Sequence, residues 1–370
     1  MSANDTQGSA KEPSSFKTVS GRHAPGRRKA ETGWVSHHQG LVAVLMLGTL
    51  LLASCGGWAV YLNSKIADVP RVALDLDEKR RPQRVTGEAI NILLAGADAG
   101  DGPSIAEAVE AGEWPAYAHR SDTIMVLHLS ADRKEATLVS VPRDAWVDIE
   151  GIGMSKINAA FAKGGPSLYV QTLEAFSGLR MDHLAIIDWE GFKELTSALG
   201  GVPVYIPEDI YDPSQKVQWT KGEQELEGKK ALQYVRMRYG LANGDFDRIK
   251  RQQNFLRQTM KQLLSNGTTS NPLRLTGAVE AITRYLTVDS EFSNGNIRGL
   301  ALSLRSLSEK NVTFLTVPQA RYDTIDGQSV VIIDEVQTSA LFQAVANDDV
   351  DGYIAEYGKE GVLGDERSVS

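Results

Sequence analysis

Five arginines in the chain have spacings and neighbours that would let them bind one polyanion. Three of them, Arg236, Arg238 and Arg248, lie in YVRMRYGLANGDFDRIKRQQNF, residues 234–255, which holds five basic and two acidic side chains. On an extended backbone Arg236 and Arg238 would project to the same side, because side chains alternate with period two. Converging guanidinium groups repel each other unless an anion joins them, and their forked geometry matches phosphate oxygens. The segment therefore predicts an anion pocket that would fit a diphosphate.

The second half of this segment has the pattern of a helix. Apolar residues fall within about 60° of one another, at roughly 100° per residue, at Ile249, Leu256, Met260 and Leu263. Arg248 and Gln252 lie four residues apart at the edge of this stripe, whereas Lys250 projects from the far side. We therefore expect Arg248 and Gln252 to line the pocket and Lys250 to be solvated.

The other two arginines lie at predicted strand ends, where ligands gather in open α/β sheets. Asp98 follows a strand in LLAGAD, and Arg143 and Asp144 follow another in VPRD. Arg120 and Asp122, in HRSDT, instead open a strand. If that strand runs antiparallel to its neighbours, its beginning meets their ends.

Two competing interpretations concern the charged residues. The arginines could each form an ordinary surface ion pair, with Asp245 or Asp247 as a partner, but their number at one sheet end favours the pocket. Asp98 and Asp122 are candidate ligands for Mg²⁺, which takes its remaining oxygens from water and phosphate. Aspartates in loops also commonly cap helices or stabilise turns. The six histidines have no metal-ligand spacing, and no Walker loop or G-x-S-x-G sequence occurs.

The elements that must position these residues alternate between strands and helices. Short apolar runs predict strands at AINILLAG, DTIMVLHL, EATLVSV, HLAIID, VPVYI, VTFLTV and SVVIID. Amphipathic stretches predict helices at 166–177, 189–199, 247–264, 273–285 and 294–307. This arrangement predicts an α/β fold, a three-layer α/β/α sandwich with a mixed central sheet.

A membrane helix is predicted ahead of this domain. Residues 41–62 carry no charge over 22 positions, and about 20 suffice to cross a bilayer. Basic residues precede the span at Arg22, Arg27, Arg28 and Lys29, which keeps the N-terminus in the cytoplasm by the positive-inside rule. The sequence Leu52-Ala53-Ser54-Cys55 also fits a lipoprotein cleavage site, but the apolar run continues beyond Cys55, where a lipoprotein would turn polar.

The predicted organisation has five parts. They are a disordered cytoplasmic tail (1–40), a transmembrane helix (41–62), a linker (63–86), an extracytoplasmic domain (87–346) and a C-terminal tail (347–370). Cys55 is the single cysteine, which excludes an intrachain disulfide and a cysteine zinc site.

The net charge argues against nucleic acid as a partner. The formal charge is -8, and beyond residue 62 there are 33 basic and 44 acidic residues, or -11. Such a domain repels a polyanion at long range. A DNA-binding regulator with RIKRQQNFLRQ as recognition helix remains an alternative, but no short helix and tight turn precede it.

Several motifs together resemble the LytR-CpsA-Psr family. LLAGAD, RSDTIMVLHL, SVPRDAWV, KINAAFAKGG, GGVPVYI, LEGKKALQYVRMR and DFDRIKRQQNF occur in the family's order between residues 88 and 265, with weaker agreement to 345. The resemblance implies a membrane-anchored phosphotransferase that moves a glycopolymer from a polyprenyl diphosphate carrier to a peptidoglycan sugar hydroxyl. Its partners would be that lipid-linked glycan, the peptidoglycan acceptor and membrane lipid. A hydrolase of polyprenyl diphosphate lipids that uses the same pocket remains an alternative.

The resemblance also implies functions for single residues. Asp98 and Asp122 would hold Mg²⁺, although their separation is longer than in compact members, and Asp101 could replace Asp98. The phosphates would be bound by Arg120, Arg143, Lys156, Arg236, Arg238, Arg248 and Gln252. Asp144 would either take a proton from the attacking hydroxyl or orient Arg143, and we favour orientation.

Overall fold

The structure, a computed structural model, describes residues 56–84, 87–98, 100, 102–112, 114–307 and 309–369. The predicted tail (1–40), Cys55, Asp101 and most of the predicted membrane span lie outside these residues. The last part of the predicted span, from residue 56, belongs to a helix over residues 56–67. Among the described residues, no helix combines the length and the apolar character needed to cross a membrane.

Most of the chain is built around one mixed sheet. The strands are β1 (Arg71–Val72), β2 (Ile90–Asp98), β3 (Arg120–Leu129), β4 (Ala136–Ser140), β5 (Trp146–Ile149), β6 (Gly153–Lys156), β7 (His183–Asp188), β8 (Val202–Ile206), β9 (Ile210–Asp212), β10 (Val217–Trp219), β11 (Gly222–Leu226), β12 (Leu286–Asp289), β13 (Val312–Thr316), β14 (Gln319–Ile325) and β15 (Gln328–Ile333). Seven of them form the central sheet in the order β1-β12-β7-β2-β3-β4-β13. Strand β3 is antiparallel to both β2 and β4, whereas β2 and β7 are parallel.

Helices pack on both faces of this sheet. They are α1 (Ile105–Glu110), α2 (Asn158–Ser177), α3 (Trp189–Ala198), α4 (Gly228–Arg236), α5 (Asp245–Leu264), α6 (Asn266–Thr269), α7 (Pro272–Tyr285), α8 (Asn294–Ser306), α9 (Glu335–Ala346) and α10 (Val350–Tyr357). On β2, Leu93 and Ala95 belong to the core beneath α2 and α9, whereas Ile92 belongs to the core beneath α5 and α8. The predicted mixed α/β class is therefore confirmed, and side-chain alternation along each strand separates the two cores.

A third apolar core lies beside the sheet and supports the segment that carries three of the candidate arginines. Helices α3, α4 and α7 pack around the β8–β11 hairpin, with Trp219 and Tyr234 fully buried between them. The predicted strands VPVYI and SVVIID therefore do not extend the central sheet. They form β8, paired with β11, and β15, paired with β14.

Parts of the predicted linker and of the predicted C-terminal tail pack against the central sheet. Strand β1, inside the linker, pairs with β12 at the sheet edge, and Val69 is buried. At the other end, Leu363 donates its backbone N–H to Phe314 at 2.9 Å, and its side chain is buried. These segments are too short to show a periodic apolar pattern, yet their isolated apolar residues complete the core.

A buried ion pair joins Arg81, in the predicted linker, to Glu174 of α2. Arg81 Nη2 lies 2.7 Å from Glu174 Oε1, and the two side chains are only 9% and 3% exposed. Glu174 also accepts the backbone N–H of Met181 at 2.8 Å, and Arg81 donates to the Met181 carbonyl at 2.6 Å. The pair thus fixes the segment ahead of β2 to the start of β7.

We expect Glu174→Ala to lower the free energy of unfolding by roughly 3–5 kcal/mol, because it removes the buried partner of Arg81 and leaves that charge only its ion pair with the exposed Glu78. Urea denaturation of the full-length protein measures this loss. The control is Glu150→Ala, which removes an exposed ion pair with Arg80 and should leave the unfolding free energy nearly unchanged. Equal effects of the two substitutions would contradict the structural importance of the Arg81–Glu174 pair.

Candidate active site

The central sheet brings three chain segments with charged residues to one edge. Asp98, the last residue of β2, pairs in register with Arg120, the first residue of β3. Strand β4 runs antiparallel to β3 and ends just before Arg143 and Asp144. The beginning of β3 therefore lies beside the ends of β2 and β4, which confirms the prediction from the sequence.

The loop after β4 is tied down by backbone hydrogen bonds. Asn158 donates its N–H to the Arg143 carbonyl at 3.2 Å, and Ile157 donates to the Ala145 carbonyl at 2.8 Å. The β5–β6 hairpin between these residues carries Lys156, whose Nζ lies 3.1 Å from Asp144 Oδ1. Lys156 thus reaches the site through Asp144.

Arg236 and Arg238 flank the end of α4 rather than lying on a strand. Arg236 is the last helical residue, and Met237 has an extended backbone with φ -60° and ψ 132°. The Met237 side chain is fully buried, whereas the side chains of Arg236 and Arg238 are 42% and 40% exposed. The expected shared direction of the two arginines is therefore found, although a helix end and one extended residue produce it.

Helix α5 supplies the two pocket residues that the helical pattern predicts. Arg248 and Gln252, one turn apart, are both buried and face the arginines of the preceding loop. Arg251 on the same helix is fully buried, packs over the Tyr234 ring at 4.8 Å and donates to Met237 Sδ at 2.8 Å. Arg251 therefore stabilises the segment between α4 and α5.

These elements enclose a pocket, called here the arginine pocket, with a volume of about 150 Å³. It is lined by Asp122, Arg143, Arg236, Arg238, Arg248 and Gln252. Arg236 also lies 5.5 Å above the Trp189 ring at the start of α3. Arg120 is exposed and is not among these lining residues, although it pairs in register with Asp98 at the same sheet end.

Carboxylates separate the cations in and around the pocket. Arg143 contacts Asp122, and Arg236 Nη2 lies 3.4 Å from Asp98 Oδ2. Asp245 Oδ1 lies 2.6 Å from Arg248 Nη2 and 3.4 Å from Arg238 Nε. The alternative ion pairs with Asp245 thus exist, but two buried or half-buried arginines share that one carboxylate. Asp247 instead accepts hydrogen bonds from Asn243.

The cluster still has more cations than carboxylates. Its cations are Arg143, Lys156, Arg236, Arg238 and Arg248, and the carboxylates paired with them are Asp98, Asp122, Asp144 and Asp245. The pKa of Arg248 is lowered to about 10, chiefly by burial and also by the charges of Arg143 and Arg238, while the carboxylates of Asp245 and Asp122 oppose the shift. For Arg143, burial also acts to lower the pKa, but Asp122, Asp144 and Asp245 outweigh it and raise the pKa. The region around Arg248 therefore favours an additional anion.

The two candidate magnesium ligands are both engaged by arginines. Asp98 pairs with Arg236 and also accepts the backbone N–H of Gly100 at 2.9 Å, as in a turn. Asp122 pairs with Arg143. The described residues contain no group of three or more histidine, cysteine or acidic side chains that could hold a metal ion. Two carboxylates fit Mg²⁺ only where phosphate oxygens complete the coordination.

Sequence reasoning missed three residues of this region or gave them no function in the site. Asp245 was considered only as a surface partner, and Trp189 and Tyr322 were not considered at all. Trp189 follows β7 directly, at a sheet end where ligands gather, and this position was the signal available for it. Tyr322 lines a cavity together with Arg238 and Asp245, but it lies 58 residues beyond the end of α5, and no local pattern connects it to the arginines.

Comparisons with known proteins show what this chain is similar to. The LytR_cpsA_psr family model matches residues 61–347. A probable cell wall biosynthesis protein, LcpB of Corynebacterium glutamicum, is 35% identical over 306 residues, which cover 82% of this chain and 70% of that protein. The polyisoprenyl-teichoic acid–peptidoglycan teichoic acid transferase TagU of Enterococcus faecalis is 31% identical over 317 residues, covering 83% of this chain and 94% of TagU.

A solved structure shares the fold. TagT bound to LIIa-WTA superposes with a TM-score of 0.59 and 23% sequence identity, over 75% of this chain and 99% of TagT. At this level of identity the likeness concerns the fold.

We expect Arg238→Ala to weaken binding of inorganic diphosphate by roughly ten- to a hundredfold, because a hydrogen bond to a charged group contributes about 1.5–3 kcal/mol. Isothermal titration calorimetry on the full-length protein at low ionic strength measures this change. Arg248→Ala should weaken binding as well and also lower stability, since Arg248 is only 3% exposed. Lys250→Ala is the control, because Lys250 lies on the same helix outside the pocket lining. Unchanged affinity in Arg238→Ala would refute the anion pocket.

Proposed function

The chain belongs to the LytR_cpsA_psr family, and we propose that it is a membrane-anchored phosphotransferase of cell wall assembly. It moves a glycopolymer from a polyprenyl diphosphate carrier to a sugar hydroxyl of peptidoglycan. The name of the Enterococcus faecalis relative, a transferase of teichoic acid from a polyisoprenyl carrier to peptidoglycan, supports this substrate class. The arginine pocket is the observation that carries the proposal.

The pocket suits a diphosphate because its guanidinium groups surround a small volume from several directions. Arg143 and Arg248 are largely buried, with side chains 17% and 4% exposed, so they would contact phosphate oxygens with little competition from water. Arg236 and Arg238 are half-exposed at the mouth. A bound diphosphate would take over hydrogen bonds that the carboxylates now accept, and would relieve the repulsion around Arg248.

The reaction is a phosphoryl transfer. The oxygen of the acceptor hydroxyl forms a bond to the glycan-linked phosphorus, and the bond from that phosphorus to the bridging oxygen of the diphosphate breaks. Polyprenyl phosphate leaves, and the hydroxyl proton passes to a carboxylate or to water. Catalysis of this kind consists mainly of positioning and of stabilising negative charge on the phosphate oxygens, which the arginines would supply.

Asp144 is better suited to orienting the arginines than to accepting the proton. Its carboxylate lies 3.1 Å from Lys156 Nζ, 3.7 Å from Arg143 Nε and 3.8 Å from Arg238 Nη2. Protonation of Asp144 would weaken all three ion pairs. We therefore assign Asp144 the positioning of Arg143 and Arg238.

Magnesium is part of the proposal through Asp98 and Asp122. With substrate phosphates present, these two carboxylates would hold the ion at the sheet end, beside Arg236 and Arg143. The ion would neutralise phosphate charge and orient the leaving group. Both carboxylates have arginine partners in the free protein, so we expect metal and diphosphate to bind together.

Burial within α5 opposes the DNA-binding alternative. Arg248 is 3% exposed, and Arg251 and Asn254 are fully buried. A recognition helix must present such side chains to base edges in the major groove. Here they pack inside the domain.

The first test of this function is reconstitution. Full-length protein is incubated with a labelled polyprenyl diphosphate-linked glycan, Mg²⁺ and peptidoglycan oligomers, and we expect a labelled peptidoglycan conjugate. Arg238→Ala should reduce transfer by about a hundredfold or more, the effect of removing one donor to developing negative charge. Lys250→Ala should transfer normally. Release of glycan phosphate without any conjugate would instead favour the hydrolase.

The metal is tested in the same assay. Chelation should stop transfer and Mg²⁺ should restore it, whereas Asp122→Asn should raise the Mg²⁺ concentration needed for half-maximal rate. Full activity in the presence of excess chelator would remove magnesium from the proposal.

The proposed location is a single-pass cell membrane protein with a cytoplasmic N-terminus and an extracytoplasmic domain. The uncharged run of residues 41–62 and its basic N-terminal flank support this topology. A reporter enzyme that works only in the cytoplasm, fused to the C-terminus, should therefore be inactive, and one that works only outside should be active. The reverse pattern would rule out transfer to peptidoglycan.

A further inference from the structure

We propose that a second cavity beside the arginine pocket binds a sugar ring, with Tyr322 as its stacking surface. This cavity, called here the Tyr322 lobe, has a volume of about 240 Å³. Its lining includes Tyr322, Asp144, Asp245, Asn243 and Ser329, with Arg238 at its border. The inference rests on the proposed function, since it assigns a position to a saccharide part of the substrates.

Arg238 lies between the two cavities. It belongs to the lining of both the arginine pocket and the Tyr322 lobe. Its Nε lies 3.4 Å from Asp245 and its Nη2 lies 3.8 Å from Asp144, and both carboxylates line the lobe. A diphosphate held by Arg238 on one side would therefore have the lobe as its immediate neighbour.

The two cavities differ in charge, and the difference selects their ligands. The arginine pocket has four arginines and one carboxylate in its lining. The Tyr322 lobe shares Arg238 with that pocket, but its other polar lining groups are the carboxylates of Asp144 and Asp245, the amide of Asn243 and the hydroxyl of Ser329, beside one aromatic ring. Carboxylates repel phosphate but accept hydrogen bonds from hydroxyl groups. A neutral ring that bears hydroxyls fits this lobe, with its apolar face on Tyr322.

The lobe is held in place by the same loop that carries Arg143. Tyr322 of β14 lies opposite Val331 of β15, and Val331 donates its backbone N–H to the Asp144 carbonyl at 2.9 Å. The hairpin is therefore fixed to the arginine pocket before any ligand binds. Such preorganisation reduces the entropy lost on binding.

The Tyr322 side chain is available for stacking. The residue is 51% exposed. Partial burial raises the pKa of its phenol, and the nearby charges of Asp245 and Asp247 raise it further. The ring thus stays neutral at physiological pH and keeps an O–H donor beside the carboxylates.

The test compares Tyr322→Ala with Tyr322→Phe in the transfer assay, using full-length protein. Tyr211→Ala is the matched control, because Tyr211 is 54% exposed and is not among the lining residues given for either cavity. Loss of the aromatic face should raise one KM about tenfold, the size of a single stacking contact with its buried area. Tyr322→Phe keeps the face and should stay near the wild-type KM.

The two substrates are varied separately to identify the source of the sugar. A higher KM for the peptidoglycan oligomer would assign the lobe to the acceptor, and a higher KM for the lipid-linked glycan would assign it to the donor. If Tyr322→Ala leaves both constants unchanged, the lobe does not bind sugar. If Tyr322→Phe is as defective as Tyr322→Ala, the stacking function is refuted.

A binding measurement separates the lobe from the proposed transfer. Phosphate-free oligosaccharides of peptidoglycan and of the donor glycan are titrated by saturation-transfer NMR, with inorganic diphosphate binding as the check of an intact arginine pocket. Binding by the wild type that is lost in Tyr322→Ala supports the lobe even if no transfer occurs. If transfer is normal and Tyr322→Ala changes neither saccharide binding nor either KM, the lobe is refuted. The proposed transferase function is then unaffected.

Discussion

Repulsion between neighbouring guanidinium groups is the constraint on which the rest of the site depends. Arg143, Arg238 and Arg248 influence one another inside a partly buried pocket, where charges are screened far less than in water. The protein meets this constraint by sharing carboxylates, with Asp245 between Arg238 and Arg248 and Asp144 near Arg143, Arg238 and Lys156. Shared carboxylates leave each arginine with unused donors, so an incoming anion adds hydrogen bonds and removes repulsion.

Such a cluster needs a rigid frame, because small displacements of like charges change its energy strongly. The frame here is the edge of the central sheet, where β3 runs antiparallel between β2 and β4. The least regular part, the segment between α4 and α5, is held by a buried contact between Met237 and Arg251. Arg251 is thus a supporting residue, although it belongs to the same basic run as the pocket arginines.

In the proposed function, two neighbouring cavities of different charge would divide the recognition of a glycolipid diphosphate into separate tasks. The arginine pocket offers charge-assisted donors, and the Tyr322 lobe offers acceptors and one aromatic face. Arg238 lines both, so binding of the phosphate and positioning of a sugar would depend on one side chain. Asp144 lines the Tyr322 lobe and lies near three cations, so the loop after β4 contributes charged groups to both cavities.

The amino-acid sequence by itself determined the class of the fold and most of the pocket, because these depend on local periodicity. Short apolar runs place β2 and β3 with nearly correct bounds, and the helical period puts Arg248 and Gln252 on one face of α5. Only the tertiary structure decided which carboxylate each arginine contacts, that Arg236 ends a helix, and that Tyr322 joins the site. It also showed that β1 joins the central sheet and that Val69 and Leu363 are buried. These features depend on packing between segments far apart in the chain, which leaves no repeating pattern in the sequence.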